Sequence, residues 1–326
     1  MRTSGSLMFT RGNPMNRFTS ILAATDFSID GNNAVRRAAQ LAHQHGAQLH
    51  ILHVLDEARC RPLREWFTPL THIDLKATLA RAALRRVAIE IAGAYDVTAT
   101  VQVQVGDPLH CLTNAAAHVD LVVLGRRGQS RPGTRSMGGT AARLLRTCRQ
   151  PVLVVKRAAG APYRKVLMPI DFTAGSEAAV RAAAPLVAGA RTHVFHAADS
   201  VMASMLRRGG MERDVILDVV ARQEAGAMSR MRRTLARLGV DTRSLFFSVG
   251  RGPADIAALA LARTLDADLI VAGKNGRSAL GSFLLGSVSR NILSECECDM
   301  LIVPPPRSAP AAANRGHRER QVAMTP

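Results

Sequence analysis

The chain repeats itself, and the repeat fixes what it can fold into. Gly125-Arg-Arg-Gly128, nine residues and Gly138-Gly139-Thr140 are echoed by Gly273-Lys-Asn-Gly276, nine residues and Gly286-Ser287, an offset of 148 residues. Ile21-Leu-Ala-Ala-Thr-Asp26-Phe-Ser matches Val166-Leu-Met-Pro-Ile-Asp171-Phe-Thr at 145, and Leu52-His53-Val54 matches Phe195-His196-Ala197 at 143. Val105-Gly106 returns as Val249-Gly250 and Pro151-Val-Leu-Val-Val as Asp299-Met-Leu-Ile-Val. Drift of a few residues is what loop insertions produce. A period this long means two whole domains, not stacked solenoid units. With 326 residues, 47% of them hydrophobic, there is material for two cores. The expected division is a disordered arm over 1–16, a first domain over 17–157, a linker over 158–164, a second domain over 165–304 and a disordered tail over 305–326.

Within each copy, strand and helix patterns alternate five strands to four helices. In the second copy the strands read as 165–170, 191–197, 243–249, 268–273 and 299–303, with helices over 174–188, 211–239, 253–265 and 287–296. Met228, Met231, Leu235 and Leu238 line one face of the long helix. Continuous Val/Leu/Ile strands between helices imply a parallel sheet covered on both faces. Right-handed crossovers then favour two tandem doubly wound five-stranded sheets, each in the order 3-2-1-4-5. That order puts a switch point between strands 1 and 4, where ligands bind at the carboxyl ends. Asp171 ends strand 1 and Gly273 ends strand 4, so motifs distant in sequence meet at one crevice. The last strands, 152–156 and 299–303, are apolar runs at sheet edges. They are expected to pair antiparallel, making an intramolecular pseudo-dimer of the two copies.

A strand, a glycine loop and a helix start hold phosphates well. Glycines let backbone N–H groups approach an anion, and the helix N-terminus adds unpaired donors and a positive dipole end. Ser287 is placed both to cap the helix and to donate its hydroxyl to a phosphate oxygen. In the first copy Gly139 stands where the second has Ser287, with the hydroxyl of Thr140 one position late.

Asp after the first strand, the His-Val ending of the second and the G-x2-G-x9-G-[S/T] pattern after the fourth resemble the universal stress protein family in tandem form. The resemblance covers 17–157 and 164–304. It implies a Rossmann-like, adenine nucleotide alpha hydrolase-like fold, often dimeric, with a subset that binds ATP. Carried over, Pro169, Asp171 and Ala197 would flank adenine and ribose, and Gly273, Gly276, Gly286 and Ser287 would hold ribose and phosphates. The degenerate first copy would offer Asp26, Val54, Gly125, Arg126, Gly128, Gly138 and Thr140, for a weaker site or none. Arg127, Arg131 and Arg135 add phosphate-compatible charge there.

Other readings are narrower. Asp26 and Asp171 also suit a turn or N-cap before a helix, which is compatible with binding. Gly273-Lys274 is not a P-loop, because the four-residue spacer before Gly-Lys and the Ser/Thr directly after Lys are missing. No Gly-x-Ser-x-Gly elbow or Cys/His signature names a nucleophile. His50 and His53 point to opposite faces of a strand, so no metal site is expected, and His53 and His196 read as structural or crevice-lining. Of the five cysteines, Cys60 and Cys111 carry no signature, and Cys148 and Cys296 occupy equivalent places before the last strand of each copy. Cys296-Glu-Cys298 lacks a zinc partner pair, which leaves a redox role as its other reading. An odd cysteine count suits a reducing cytoplasm, and no apolar run reaches the ~18 residues of a membrane span.

The net charge of +18 is almost all arginine, since only Lys76, Lys156, Lys165 and Lys274 are lysines. The arginines are dispersed over many helices and aromatics make up only 4%, so specific nucleic-acid binding is not expected. Two functions remain open. One is a stress-response protein whose ATP occupancy alters its shape or partners. The other is a nucleotide-independent scaffold using the same fold to dimerise, within the chain or as a homodimer. Catalysis reduces to slow ATP hydrolysis, for which only a positioned water and Mg²⁺ would be needed.

Overall fold

The computed structural model describes residues 17–56, 58, 69–128, 137–198, 205–206, 208–274 and 285–306. The expected arm over 1–16, most of the tail, Gly276, Arg131, Arg135 and Cys60 lie outside them. The first repeat runs β1 (Ser20–Ala24), α1 (Ile29–His45), β2 (Gln48–Asp56), α2 (Pro69–Tyr95), β3 (Ala99–Gly106), α3 (Pro108–Ala116), β4 (Leu121–Gly125), α4 (Gly139–Thr147) and β5 (Val152–Val155). The second runs β6 (Lys165–Pro169), α5 (Ala174–Ala183), β7 (Arg191–Ala198), α6 (Arg213–Arg237), β8 (Leu245–Arg251), α7 (Ala254–Leu265), β9 (Leu269–Gly273), α8 (Ser287–Glu295) and β10 (Asp299–Val303).

Each repeat has the order 3-2-1-4-5, but the two sheets are not separate. They form one ten-stranded sheet, β3-β2-β1-β4-β5-β10-β9-β6-β7-β8. The join is antiparallel, with Met300 opposite Val154 and Ile302 opposite Val152. Two short, buried edge strands, apolar apart from Asp299 at the start of β10, satisfy each other's open hydrogen-bonding rows. One face of the sheet carries α1, α2, α5 and α6, with Val35, Leu84, Val180 and Met231 in its core. The other carries α3, α4, α7 and α8, with Leu112, Leu144, Ala258 and Ile292. Both cores run through the join.

Helix ends follow local chemistry. Ser28, Asp107 and Thr173 cap α1, α3 and α5 through their side chains. Gly46 closes α1 at φ 63°, a left-handed position glycine adopts without steric cost. Helix α5 ends at Ala183 rather than 188, because Pro185 has no N–H with which to continue the helical hydrogen bonds. The linker is not a loose tether: Arg37 and Gln40 of α1 donate to the carbonyls of Ala161 and Gly160, and Tyr163 is buried.

Candidate functional site

The second repeat opens a crevice where β6 and β9 part, and Pro169 explains the parting. Ile170 donates its N–H to Phe195 on β7. Backbone nitrogens alternate sides along a strand, so the preceding nitrogen faces β9, and in Pro169 it has no hydrogen. Strand β6 accordingly pairs with β9 at only two positions, Val166 with Leu269 and Leu167 with Ile270. In the first repeat Ala24 stands in place of Pro169, and β1 pairs with β4 at four positions.

After β6, Asp171 accepts hydrogen bonds from the N–H of Thr173 at 3.1 Å and its hydroxyl at 2.6 Å. Asp171 is therefore a turn aspartate, and the helix cap belongs to Thr173. Between them Phe172 adopts φ 62°, rare for a side chain with Cβ, as Phe27 does at φ 63° in the first repeat. The strained turn presses the Phe172 ring against His196, centroids 4.5 Å apart. His196 Nδ1 lies 2.8 Å from the Ile170 carbonyl, which can only accept, so Nδ1 carries the hydrogen. His53 repeats this bond to Thr25.

Strand β9 ends at Gly273 against the start of α5. A Cβ there would sit 2.8 Å from the Gly175 carbonyl carbon, so only glycine lets strand and helix approach this closely. Ser289 donates its hydroxyl to the Gly273 carbonyl at 2.8 Å, and Gly286 donates its N–H to Lys274 at 2.9 Å, which fixes α8 beside the strand end. The N-cap of α8 is Gly286, not Ser287 as the sequence suggested. The helix begins at Ser287, which is exposed and makes no capping bond. With no side-chain cap, the first turn of α8 keeps its N–H donors for whatever fills the crevice.

Pro169, Asp171, Ala197, Gly273, Gly286 and Ser287 thus surround one cavity of about 240 Å³, whose walls also include Phe195, His196, Ser289 and Ile292. Six of the seven residues picked from sequence in this repeat meet there; Gly276 lies outside the described residues. Sequence reasoning missed Ser176 and Ser289, and only the repeat pattern hinted at His196. The lysine of Gly273-Lys274 points elsewhere. It is 3% exposed, and its ammonium bonds the carbonyls of Arg146 and Cys148 at the end of α4 across the join.

The first repeat keeps the same frame. Gly125 packs on α1 as Gly273 does on α5, and Gly138 is the N-cap of α4. Gly139 is the first residue of α4, matching Ser287, with Thr140 second and exposed. A Cβ on Gly128 would overlap the Asp26 carboxylate, so the glycine loop lies directly on that residue. Arg127 is held by Asp30, its N–H at 3.2 Å and Nε at 3.0 Å from one carboxylate oxygen, and Ser28 donates to its carbonyl. Gly175 replaces Asp30 in the second repeat. Arg126 takes the position of Lys274, and its charge reaches Cys296 across the join. Val54 stays on β2 as the counterpart of Ala197.

The family model described as Universal stress protein family matches residues 17–156 and again 162–304. A universal stress protein of Mycolicibacterium smegmatis is 26% identical over 313 residues, covering 87% of this chain and 97% of the relative. A universal stress protein from Archaeoglobus fulgidus superposes with a TM-score of 0.65 at 18% identity, covering 88% of this chain and 99% of that one. One from Pseudomonas aeruginosa gives 0.61 at 22%, covering 90% and 95%. Both structures share the fold.

Proposed function

We propose that this chain, which belongs to the universal stress protein family, binds an adenine nucleotide, ATP, in the crevice of its second repeat and responds to it in the cell's stress response. The observation that carries this reading is the cavity itself. It brings an apolar slot, a turn carboxylate and an uncapped helix N-terminus together at a switch point of the sheet. The slot between Phe195, Ala197 and Ile292 suits a flat base. In this reading Asp171 would accept ribose or base hydrogens, and the N–H groups of α8 would donate to phosphate. The residues present fit the ligand in chemistry and place, and Mg²⁺ would accompany the phosphates. The four described cysteines are free thiols, which suits a reducing cytoplasm.

The test is Ala197→Phe, which fills the slot from the end of β7 without touching the Gly273 contact. Calorimetry should show ATP affinity falling by at least about tenfold, ~1.4 kcal/mol. Unchanged affinity in a folded variant would overturn the site, and absence of any ATP binding by the native chain would overturn the function. A second role has its own support. The glycine loop of the first repeat lies on Asp26 and is tied to Asp30, which favours that half as an interaction scaffold that needs no nucleotide.

A further inference from the structure

At the join between the repeats, two thiols and a lysine form a cluster outside the nucleotide crevice. Cys296 is the C-cap of α8, and Cys298 follows two residues on, just before β10. Lys156, directly after β5, reaches across. Its Nζ donates to the carbonyls of Leu293 and Cys296, each at 2.7 Å, and to Cys296 Sγ at 2.9 Å. All three ammonium hydrogens are used, one of them on sulfur.

A buried thiol is ordinarily inert, because burial disfavours the thiolate. Here Lys156 donates to the sulfur. The neighbouring Cys298 thiol lowers the pKa of Cys296 most, burial opposes this, and the charges of Lys156 and Arg126 lower it further. The same contact and burial raise Cys298. When Cys296 is protonated, its S–H has the Cys298 carbonyl at 3.6 Å. The other repeat supplies the control. Cys148 is also a C-cap and Lys274 donates to its carbonyl, but burial outweighs the lysine's charge and raises its thiol, and the residue two positions on is Gln150.

We propose that Cys296 and Cys298 form a dithiol oxidised by hydrogen peroxide, with Lys156 positioning the attacking sulfur. The Cys296 thiolate attacks one peroxide oxygen. An S–O bond forms, the O–O bond breaks, and the leaving hydroxide takes the proton that Cys296 gave up. The Cys298 sulfur then attacks the sulfenic sulfur. An S–S bond forms, the S–O bond breaks, and hydroxide departs with the Cys298 proton as water. Two thiols and one hydrogen peroxide become one disulfide and two waters, and a thiol reductant restores the pair. The chain bends at Cys298, with Cys296 Sγ 3.6 Å from the Cys298 carbonyl, so the two residues turn toward each other, and closing the bridge brings their Cβ atoms to about 3.5–4.5 Å. The cysteines are 4% and 3% exposed, so the oxidant must be as small as peroxide.

The experiment treats the full chain with hydrogen peroxide, alkylates it and digests it with trypsin. The peptide from Asn291 to Arg307 contains both cysteines and should lose two hydrogens and resist alkylation, while Cys148 stays alkylatable. Oxygen gained at Met300 in the same peptide is told apart by its sign. Cys298→Ser should stop at a sulfenic acid on Cys296, trapped by dimedone. Lys156→Met should shift the pH profile of oxidation upward, because removing the cation disfavours the thiolate, and Lys156→Arg should restore most of it. Both cysteines remaining alkylatable, or Cys148 oxidising first, would overturn the proposal. So would an unshifted pH profile in a folded Lys156→Met, for the role of the lysine.

Discussion

A hydroxyl at the first position of a helix does different work from one at the cap, and Ser287 shows it. The N-cap is Gly286, so Ser287 makes no capping bond, and it lines the crevice instead. A hydrogen bond to a charged group is worth ~1.5–3 kcal/mol, so Ser287→Ala should weaken ATP binding by roughly ten- to a hundredfold while leaving the melting temperature in place. Calorimetry alongside thermal denaturation separates the two effects. An equal loss of stability would return the residue to a structural role. The glycines and Asp171 were legible in the sequence because their spacing repeats. Ser289 was not, since a serine two residues into a helix has many uses. Only the 2.8 Å bond to Gly273 shows that it pins strand to helix.

The two repeats are built from the same elements yet differ in how far their first and fourth strands pair. In the second repeat a proline stops the β6–β9 ladder early. In the first, the ladder continues and Arg127 is tied to Asp30, at side-chain exposures of 31% and 15%. A partly buried pair of this kind holds better than a surface one, and it consumes an arginine the sequence had offered to phosphate. Asp30→Gly, which copies Gly175, should release Arg127 and let the loop rise from Asp26. The expected outcome is a second, weaker nucleotide per chain, its affinity falling with salt because an exposed arginine supplies the attraction. Titration that still finds one nucleotide would show that the ladder, not the ion pair, closes the first crevice. Sequence alone could align the two loops, but an ion pair between residues 97 apart is invisible to local pattern. The central strands were legible as buried apolar runs, whereas the edge strand β3 alternates, with Thr100 and Gln102 exposed, and shows itself only by its place between helices.

At the scale of the molecule, the pairing of β5 with β10 follows from two apolar edges, but what secures it follows from charges. Asp299 is 1% exposed and accepts from Tyr163 Oη at 2.7 Å and from the N–H groups of Lys156 and Arg157 at 2.8 and 3.2 Å. Arg37 of α1 lies 3.4 Å from the same carboxylate and stacks 4.4 Å over the Tyr163 ring. One buried carboxylate therefore ties the first helix, the linker and the last strand together, and neither repeat taken alone would have revealed it. Its repeat-counterpart is Pro151, so the device exists once per chain. Removing one member of a buried pair strands the other, typically at about 3–5 kcal/mol, whereas replacing both with apolar groups can be nearly neutral. Asp299→Ala should thus destabilise the chain by that amount in denaturant titration, and Arg37→Met by a similar one. The double variant Arg37→Met, Asp299→Leu should recover much of the loss, a coupling that a double-mutant cycle measures directly. If the two losses simply add, Arg37 and Asp299 act independently, and the linker is held by Tyr163 and the backbone bonds of α1 instead.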